Sequence, residues 1–245
     1  MDAEADFFIR RLDEYIVKID KLRFKCFQIL QKAIFDYYEG AYNIQALVFG
    51  SVSSGLALEE SDMDIAFKGM PVHSKEHLLQ EFTLLKVYLE KSIPSIISVK
   101  PITSSKVPIL KLLMQCEKKE IKIDVLISED YDCSSPYMRC LHSVEMTKDI
   151  LNKFSHCREI VLLLKKLLNI RGLNSTYKGG LSSYALVLMV ATFLNHFPYI
   201  SSIIEQLINI MQFYGGHMNI RNTGISPILY FINTERTTAL MRIIS

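Results

Sequence analysis

Apolar residues recur at helical spacing through the first forty positions: Phe7, Phe8, Leu12, Tyr15, Ile16 and Ile19, then Leu22, Phe27, Leu30, Ile34 and Phe35. That period predicts one or two amphipathic helices over about Asp6–Tyr38. The Gly40-Ala41-Tyr42-Asn43 turn then leads into an apolar run, Ile44–Phe49, short enough for a strand. A loop, Val52–Ser61, separates it from a second strand, Asp62–Phe67, and Gly69-Met70-Pro71 closes that strand with a turn. Helical spacing returns over Ser74–Lys91, with Leu78, Leu79, Phe82, Leu85 and Tyr88 on one side and Pro94 as the stop.

Strands follow at Ile96–Pro101, Lys106–Met114 and Ile121–Ser128, the last two joined by a charged turn at Glu117–Glu120. Glu129–Pro136 is polar and turn-rich and reads as a linker. Beyond it the pattern is helical almost throughout, at about Pro136–Phe154, Cys157–Ile170, Ser182–His196 and Ile200–Phe213. The order predicts an α+β chain: a mixed sheet with a helix packed on it, then an all-helical domain.

The chemistry lies where the first two strands meet. Gly50-Ser51 ends the Ile44–Phe49 run, and Asp62-Met63-Asp64 follows the loop. Residues i and i+2 of a strand share a face, so Asp62 and Asp64 would aim two carboxylates at one point. Such a pair repels unless a cation joins it. A hard divalent ion shared with phosphate oxygens resolves the repulsion, and glycine lets a phosphate approach the backbone closely. In the last strand Ile121, Ile123, Val125 and Ile127 alternate against Lys122, Asp124 and Leu126. Asp124 is therefore on the face away from the isoleucines. Alone it would read as a solvated residue; with Asp62 and Asp64 upstream, a shared metal site is the better account.

Composition changes this picture little. In 245 residues, 28 Lys+Arg against 26 Asp+Glu leave a net charge of +2. Any nucleic-acid contact would then need a local basic surface rather than a net excess. The five cysteines, Cys26, Cys116, Cys133, Cys140 and Cys157, show no CxxC pair or zinc spacing, which points to reduced thiols and an intracellular place. The start, MDAEADFFIRRLDEY, fits no secretory signal. Tyr184–Leu194, the longest apolar stretch, falls short of the roughly 20 residues that a bilayer crossing needs, so no membrane is expected. His73, His77, His142, His156, His196 and His217 show no ligand clustering.

FGSVSSGLALEESDMDIAF (Phe49–Phe67) resembles the Gly-Ser…Asp-x-Asp signature of the polymerase-beta-like nucleotidyltransferase superfamily. KVPILKL followed by IDVLIS resembles the third-Asp strand pair of its noncanonical poly(A) polymerase and terminal uridylyltransferase branch. Arg158–Leu194 is similar to that branch's helical domain, and FYGGHMNIRNTGISP (Phe213–Pro227) to a segment of its nuclear members. The resemblance implies residues 39–135 as the nucleotidyltransferase domain and 136–245 as the helical domain. It has residues 1–38 returning to pack on the latter, and the active site in the cleft between the halves. It implies two Mg²⁺ or Mn²⁺ ions on Asp62, Asp64 and Asp124, with Asp124 as general base. Gly50, Ser51, Ser143, Lys165 and Ser183 would bind the nucleotide, with Tyr184 stacked on its base.

Each of these residues also has a plainer reading. Ser182 and Ser183 stand where a helix N-cap is expected, and Lys165 beside Lys166 could be a snorkelling lysine on a helix face. Three departures stand out: Asn169 replaces a second lysine that uridylyltransferases carry, Ser128 replaces an asparagine, and the match fades after Pro227. A base-reading segment is expected there, so the chain reads as truncated, a short form or an inactive relative. The expected activity is transfer of AMP from ATP to an RNA 3′ end, aided by a separate RNA-binding subunit, and located in the nucleus rather than the cytoplasm. Uridylyl transfer, or a non-catalytic scaffold role, are the alternatives.

Overall fold

The structure, a computed structural model, describes residues 2–40, 43–104, 107–128, 135–173, 180–198, 202–218, 223–225 and 231–233. Most of the linker expected at Glu129–Pro136, the start of the helix expected at Ile200, the stretch 219–222 and nearly all of the chain beyond Pro227 lie outside the described residues, as does Cys133. The chain divides into two compact units, residues 13–146 and residues 1–12 with 147–245.

In the first unit, helix α1 (Asp2–Tyr37) is one continuous element, of which residues 13 onward belong here. Its buried stripe differs from the expected one: Ile16, Ile19, Cys26, Leu30 and Ile34 are buried, whereas Tyr15 and Phe35 are exposed. Arg23 falls on the same stripe and is 1% exposed. Next come β1 (Gln45–Phe49), a short turn of helix α2 (Gly50–Ser53) and β2 (Met63–Lys68). Helix α3 (Lys75–Ser92), capped by the Ser74 hydroxyl accepting from the His77 N–H at 3.1 Å, leads to β3 (Ile96–Ile102), β4 (Ile109–Cys116) and β5 (Lys119–Ser128). The helical turns of α4 (Pro136–Lys153) begin after Ser135, whose hydroxyl accepts from the Met138 N–H.

The five strands form one sheet in the order β1-β2-β5-β4-β3. Only the β2–β5 pair is parallel, so the sheet is mixed. Strand alternation gives it two different faces. Ile65, Phe67, Leu110, Leu112, Met114, Ile123, Val125 and Ile127 enter one core with Leu30 and Ile34 of α1 and Phe82, Leu85 and Leu89 of α3. The opposite face carries a much smaller cluster, Ala66, Leu126 and Tyr137, and leaves room for polar residues.

The second unit is helical: α5 (Cys157–Ile170), α6 (Ser183–His196) and α7 (Ile203–Gln212), then a wide π-type turn, Phe213–His217. Ile160, Val161, Leu162 and Leu164 of α5 and Val187, Val190 and Ala191 of α6 are buried. Phe193, Phe197 and Phe213 stack as a trio. Two three-residue strands, β6 (Thr223–Ile225) and β7 (Phe231–Asn233), pair antiparallel. Among the described residues no helix is long and apolar enough to cross a membrane.

Candidate active site

Strand register assembles most of the site. Phe49 pairs with Asp64, Asp64 with Asp124, Asp124 with Lys111 and Lys111 with Lys100, so one crosswise row runs over all five strands. Asp64 and Asp124 are thus neighbours on parallel strands, on the face away from the large core. The hairpin that joins β4 to β5 is tighter than expected, with only Glu117-Lys118 outside the strands. That two-residue connection sets Lys111 opposite Asp124.

Gly50 abuts this row. Its φ is +64°, a left-handed value that glycine adopts without strain, and an added Cβ would overlap Oδ2 of Asp64. The residue after β1 must therefore lack a side chain for Asp64 to stand where it does. Ser51 follows in α2, where its carbonyl accepts from the Leu56 N–H at 2.9 Å.

Asp62 corrects an expectation. It sits in the loop just before β2 rather than within the strand, so alternation does not place it beside Asp64. Its position comes from α1. The buried Arg23 guanidinium donates to the carbonyls of Leu58 at 2.6 Å, Glu59 at 3.1 Å and Ser61 at 2.8 Å, and to Asp20 Oδ1 at 2.7 Å. The Ser61 hydroxyl accepts from the Leu58 N–H and closes the same turn. Glu59, meanwhile, takes hydrogen bonds from Tyr15 at 3.0 Å and Lys119 at 2.7 Å.

Lys111 ties the loop to the sheet. Its Nζ lies 3.1 Å from Asp62 Oδ2, to which it donates, and 3.2 Å from Asp124 Oδ1. The second contact is an ion pair with poorer hydrogen-bond alignment, and Lys111 is the partner of the buried Oδ1 of Asp124. Burial pushes the Asp124 carboxyl above its ordinary value; the Lys111 charge opposes that rise and the Asp62 charge adds to it. Burial alone would lower the Lys111 ammonium, but its hydrogen bond to Asp62 and the two carboxylate charges outweigh it and hold the group above its usual value.

Among the described residues no three His, Cys, Asp or Glu side chains form a ready metal cage. The Lys111 ammonium stands between two of the three carboxylates. The donor set nevertheless fits a hard dication: Asp64 and Asp124 are register neighbours on adjacent strands, and one cationic side chain already bridges Asp62 and Asp124.

Ser143, Lys165, Ser183 and Tyr184 are not on these strands. The Ser143 hydroxyl, on α4 in the same unit, donates to the Cys140 carbonyl at 2.8 Å. Ser128, where an asparagine was expected, is 1% exposed, and its hydroxyl has no hydrogen-bond partner among the described residues. In the helical unit Lys165 is half-buried on α5. Ser182, not Ser183, caps α6, accepting from the Ala185 N–H at 3.1 Å. Ser183 and Tyr184 are half-buried in its first turn. Tyr214 donates to the Met189 carbonyl at 2.8 Å and helps line an apolar cavity of about 430 Å³ with Leu181, Ala185, Leu188 and Ile225.

The model of the "Poly(A) RNA polymerase, mitochondrial-like, central palm domain" matches residues 15–138, which contain the whole five-stranded sheet. The chain belongs to the noncanonical poly(A) polymerase and terminal uridylyltransferase family. It is 29% identical over 192 residues to poly(A) RNA polymerase cid14 of Schizosaccharomyces pombe, a match covering 75% of this chain and 26% of that protein. It is 27% identical to the inactive noncanonical poly(A) RNA polymerase protein Trf4-2 of Drosophila melanogaster, covering 74% of this chain and 43% of that one. Terminal uridylyltransferase cid1 of S. pombe is 28% identical, over 62% of this chain and 35% of its own length. The chain thus spans less than half the length of these relatives. Among solved structures, the polymerase core of TRAMP, a RNA surveillance complex, superposes with a TM-score of 0.75 at 20% identity, over 98% of this chain and 75% of that one. This likeness bears out the α+β nucleotidyltransferase fold.

Proposed function

We propose that this chain is a template-independent RNA nucleotidyltransferase that adds AMP from ATP to an RNA 3′ end and releases pyrophosphate. The observation that carries the reading is the row in which Asp64 and Asp124 face one another on parallel strands, with Asp62 joined to Asp124 through Lys111. The relatives named for poly(A) polymerase activity support AMP as the unit transferred.

Asp62, Asp64 and Asp124 would hold the divalent ions, Mg²⁺ or Mn²⁺. When bound, such ions supply charge neutralisation at the phosphates and make the 3′-hydroxyl more acidic. The protein's own part is positioning and proton transfer. By the family resemblance, Asp124 takes the proton of the attacking 3′-hydroxyl. Gly50 leaves room for the Asp64 carboxylate after β1; by the family resemblance Gly50 and the Ser51 hydroxyl contact the phosphates. Lys165 and Ser183 bind the triphosphate, Tyr184 stacks on the base and Ser143 contacts the ribose; these roles rest on the family resemblance. A separate RNA-binding subunit brings the RNA, consistent with a structural neighbour that is the polymerase core of a complex. The resemblance to nuclear members favours the nucleus.

The test is extension of an oligo-A primer by the purified chain with Mg²⁺ or Mn²⁺ and each of the four nucleoside triphosphates separately. ATP should be used best, and Asp124→Asn should abolish extension, by about a thousandfold or more. Preferential use of UTP would replace the adenylyl reading with the uridylyl one, which the similarity to a terminal uridylyltransferase keeps in view. Inactivity with every triphosphate, with RNA binding unchanged by Asp62→Ala, would make the chain a non-catalytic scaffold, a reading that the similarity to an inactive relative keeps in view.

A further inference from the structure

Lys111 occupies an unusual position for a lysine in a central strand. Its neighbours Leu110 and Leu112 are each 1% exposed on the opposite face, so the β4 backbone is anchored in the core and only the side chain can move. The Nζ reaches two carboxylates brought from different elements, Asp62 at 3.1 Å from the loop and Asp124 at 3.2 Å from β5. Asp64 is the next residue along the same row. Three carboxylates gathered without a cation repel one another strongly at partly buried positions. A single ammonium on a flexible four-carbon stem is a compact point charge able to relieve that repulsion. It occupies the space between carboxylates that a dication would also have to use.

We propose that Lys111 is a built-in counter-cation: it holds Asp62 and Asp124 together before metal arrives, and metal binding displaces it. The idea rests on the reading of these three aspartates as the metal-holding residues. Ammonium and dication cannot share the same carboxylate oxygens without mutual repulsion, so each weakens the other. The side chain of Lys111 is 41% exposed, so the displaced ammonium has water to move into. The consequence is a site that stays assembled when metal-free and takes up the ion at a cost set by one residue.

The experiment measures Mn²⁺ binding directly, without nucleotide or RNA, by the electron paramagnetic resonance of free Mn²⁺ in titrations of the full chain. Lys111→Met keeps the stem and removes the charge; it should bind Mn²⁺ about tenfold more tightly than the unaltered chain, with the difference shrinking at high salt. Lys111→Arg keeps the charge and should bind as the unaltered chain does. Lys111→Gln is a second neutral variant should the methionine one fold poorly, as judged by circular dichroism. Adding Asp62→Asn to Lys111→Met should erase the gain. Equal or weaker Mn²⁺ binding by the neutral variants would overturn the counter-cation role and leave the metal reading standing. No Mn²⁺ binding by any form, the unaltered chain included, would overturn both.

Discussion

Two regions of one unit each deliver carboxylates to the same place by opposite means. Asp64 and Asp124 are placed by strand register, through the backbone ladder that also aligns Ile65, Ile123 and Val125 into the core. Asp62 is placed by a side chain, because Arg23 of α1 gathers three carbonyls of the turn that precedes it. Register is redundant, since each ladder bond is backed by its neighbours and by the apolar face beneath. The clamp is one guanidinium. Disrupting the clamp should therefore dislodge Asp62 without disturbing the strand pair.

The largest expected effect follows from Arg23→Met. It leaves three carbonyls of the turn, at a site where the guanidinium is 1% exposed, without their donor, and should cost about 3 kcal/mol of unfolding free energy in a urea titration. Primer extension should fall steeply, and the Arg23→Met/Asp62→Asn double variant should be no less active than Asp62→Asn alone, since both changes act on one residue. Additive losses would show that Arg23 serves more than the Asp62 loop. Arg23→Lys, which keeps the charge but not the fork of donors, should fall between.

Gly50→Ala tests the register side of the comparison. A left-handed φ of +64° and overlap with Asp64 Oδ2 should together cost about 2 kcal/mol, with loss of extension because Asp64 must turn aside. A Gly50→Ala chain with unchanged unfolding and unchanged extension would mean that the strand row tolerates displacement.

The comparison also explains what the sequence made legible. The strands and their two faces could be read because alternation is a property of each strand, and Asp64 and Asp124 came with it. The Gly50-Ser51…Asp62-Met63-Asp64 spacing carried the family in a few residues. Arg23 was missed because a helical stripe was read for apolar residues alone, although Arg23 falls in phase with Ile16, Ile19, Cys26 and Leu30, where an arginine must find partners. Lys111 was missed because its role depends on cross-strand register. The two-residue hairpin Glu117-Lys118 would have given it, had the turn not been drawn two residues too wide. Asp62 was put on a strand because its spacing to Asp64 fits one, while the turn held by Arg23 ends only at Ser61.

The smallest effect belongs to Lys119. Lys119 also reaches the Asp62 loop, donating to Glu59 Oε1 at 2.7 Å and to the Tyr15 hydroxyl at 3.1 Å. By distance alone it rivals Arg23. Its side chain is 44% exposed and that of Glu59 39%, however, so water competes for both charges and salt screens them. It also grips a side chain that the backbone can outlive, whereas Arg23 grips the backbone itself. Lys119→Met should therefore leave primer extension within about twofold of the unaltered chain and the urea midpoint unmoved. A tenfold loss of extension from Lys119→Met would mean that Asp62 is placed by the whole polar collar of α1 and β5, and that burial does not decide which contact holds the loop.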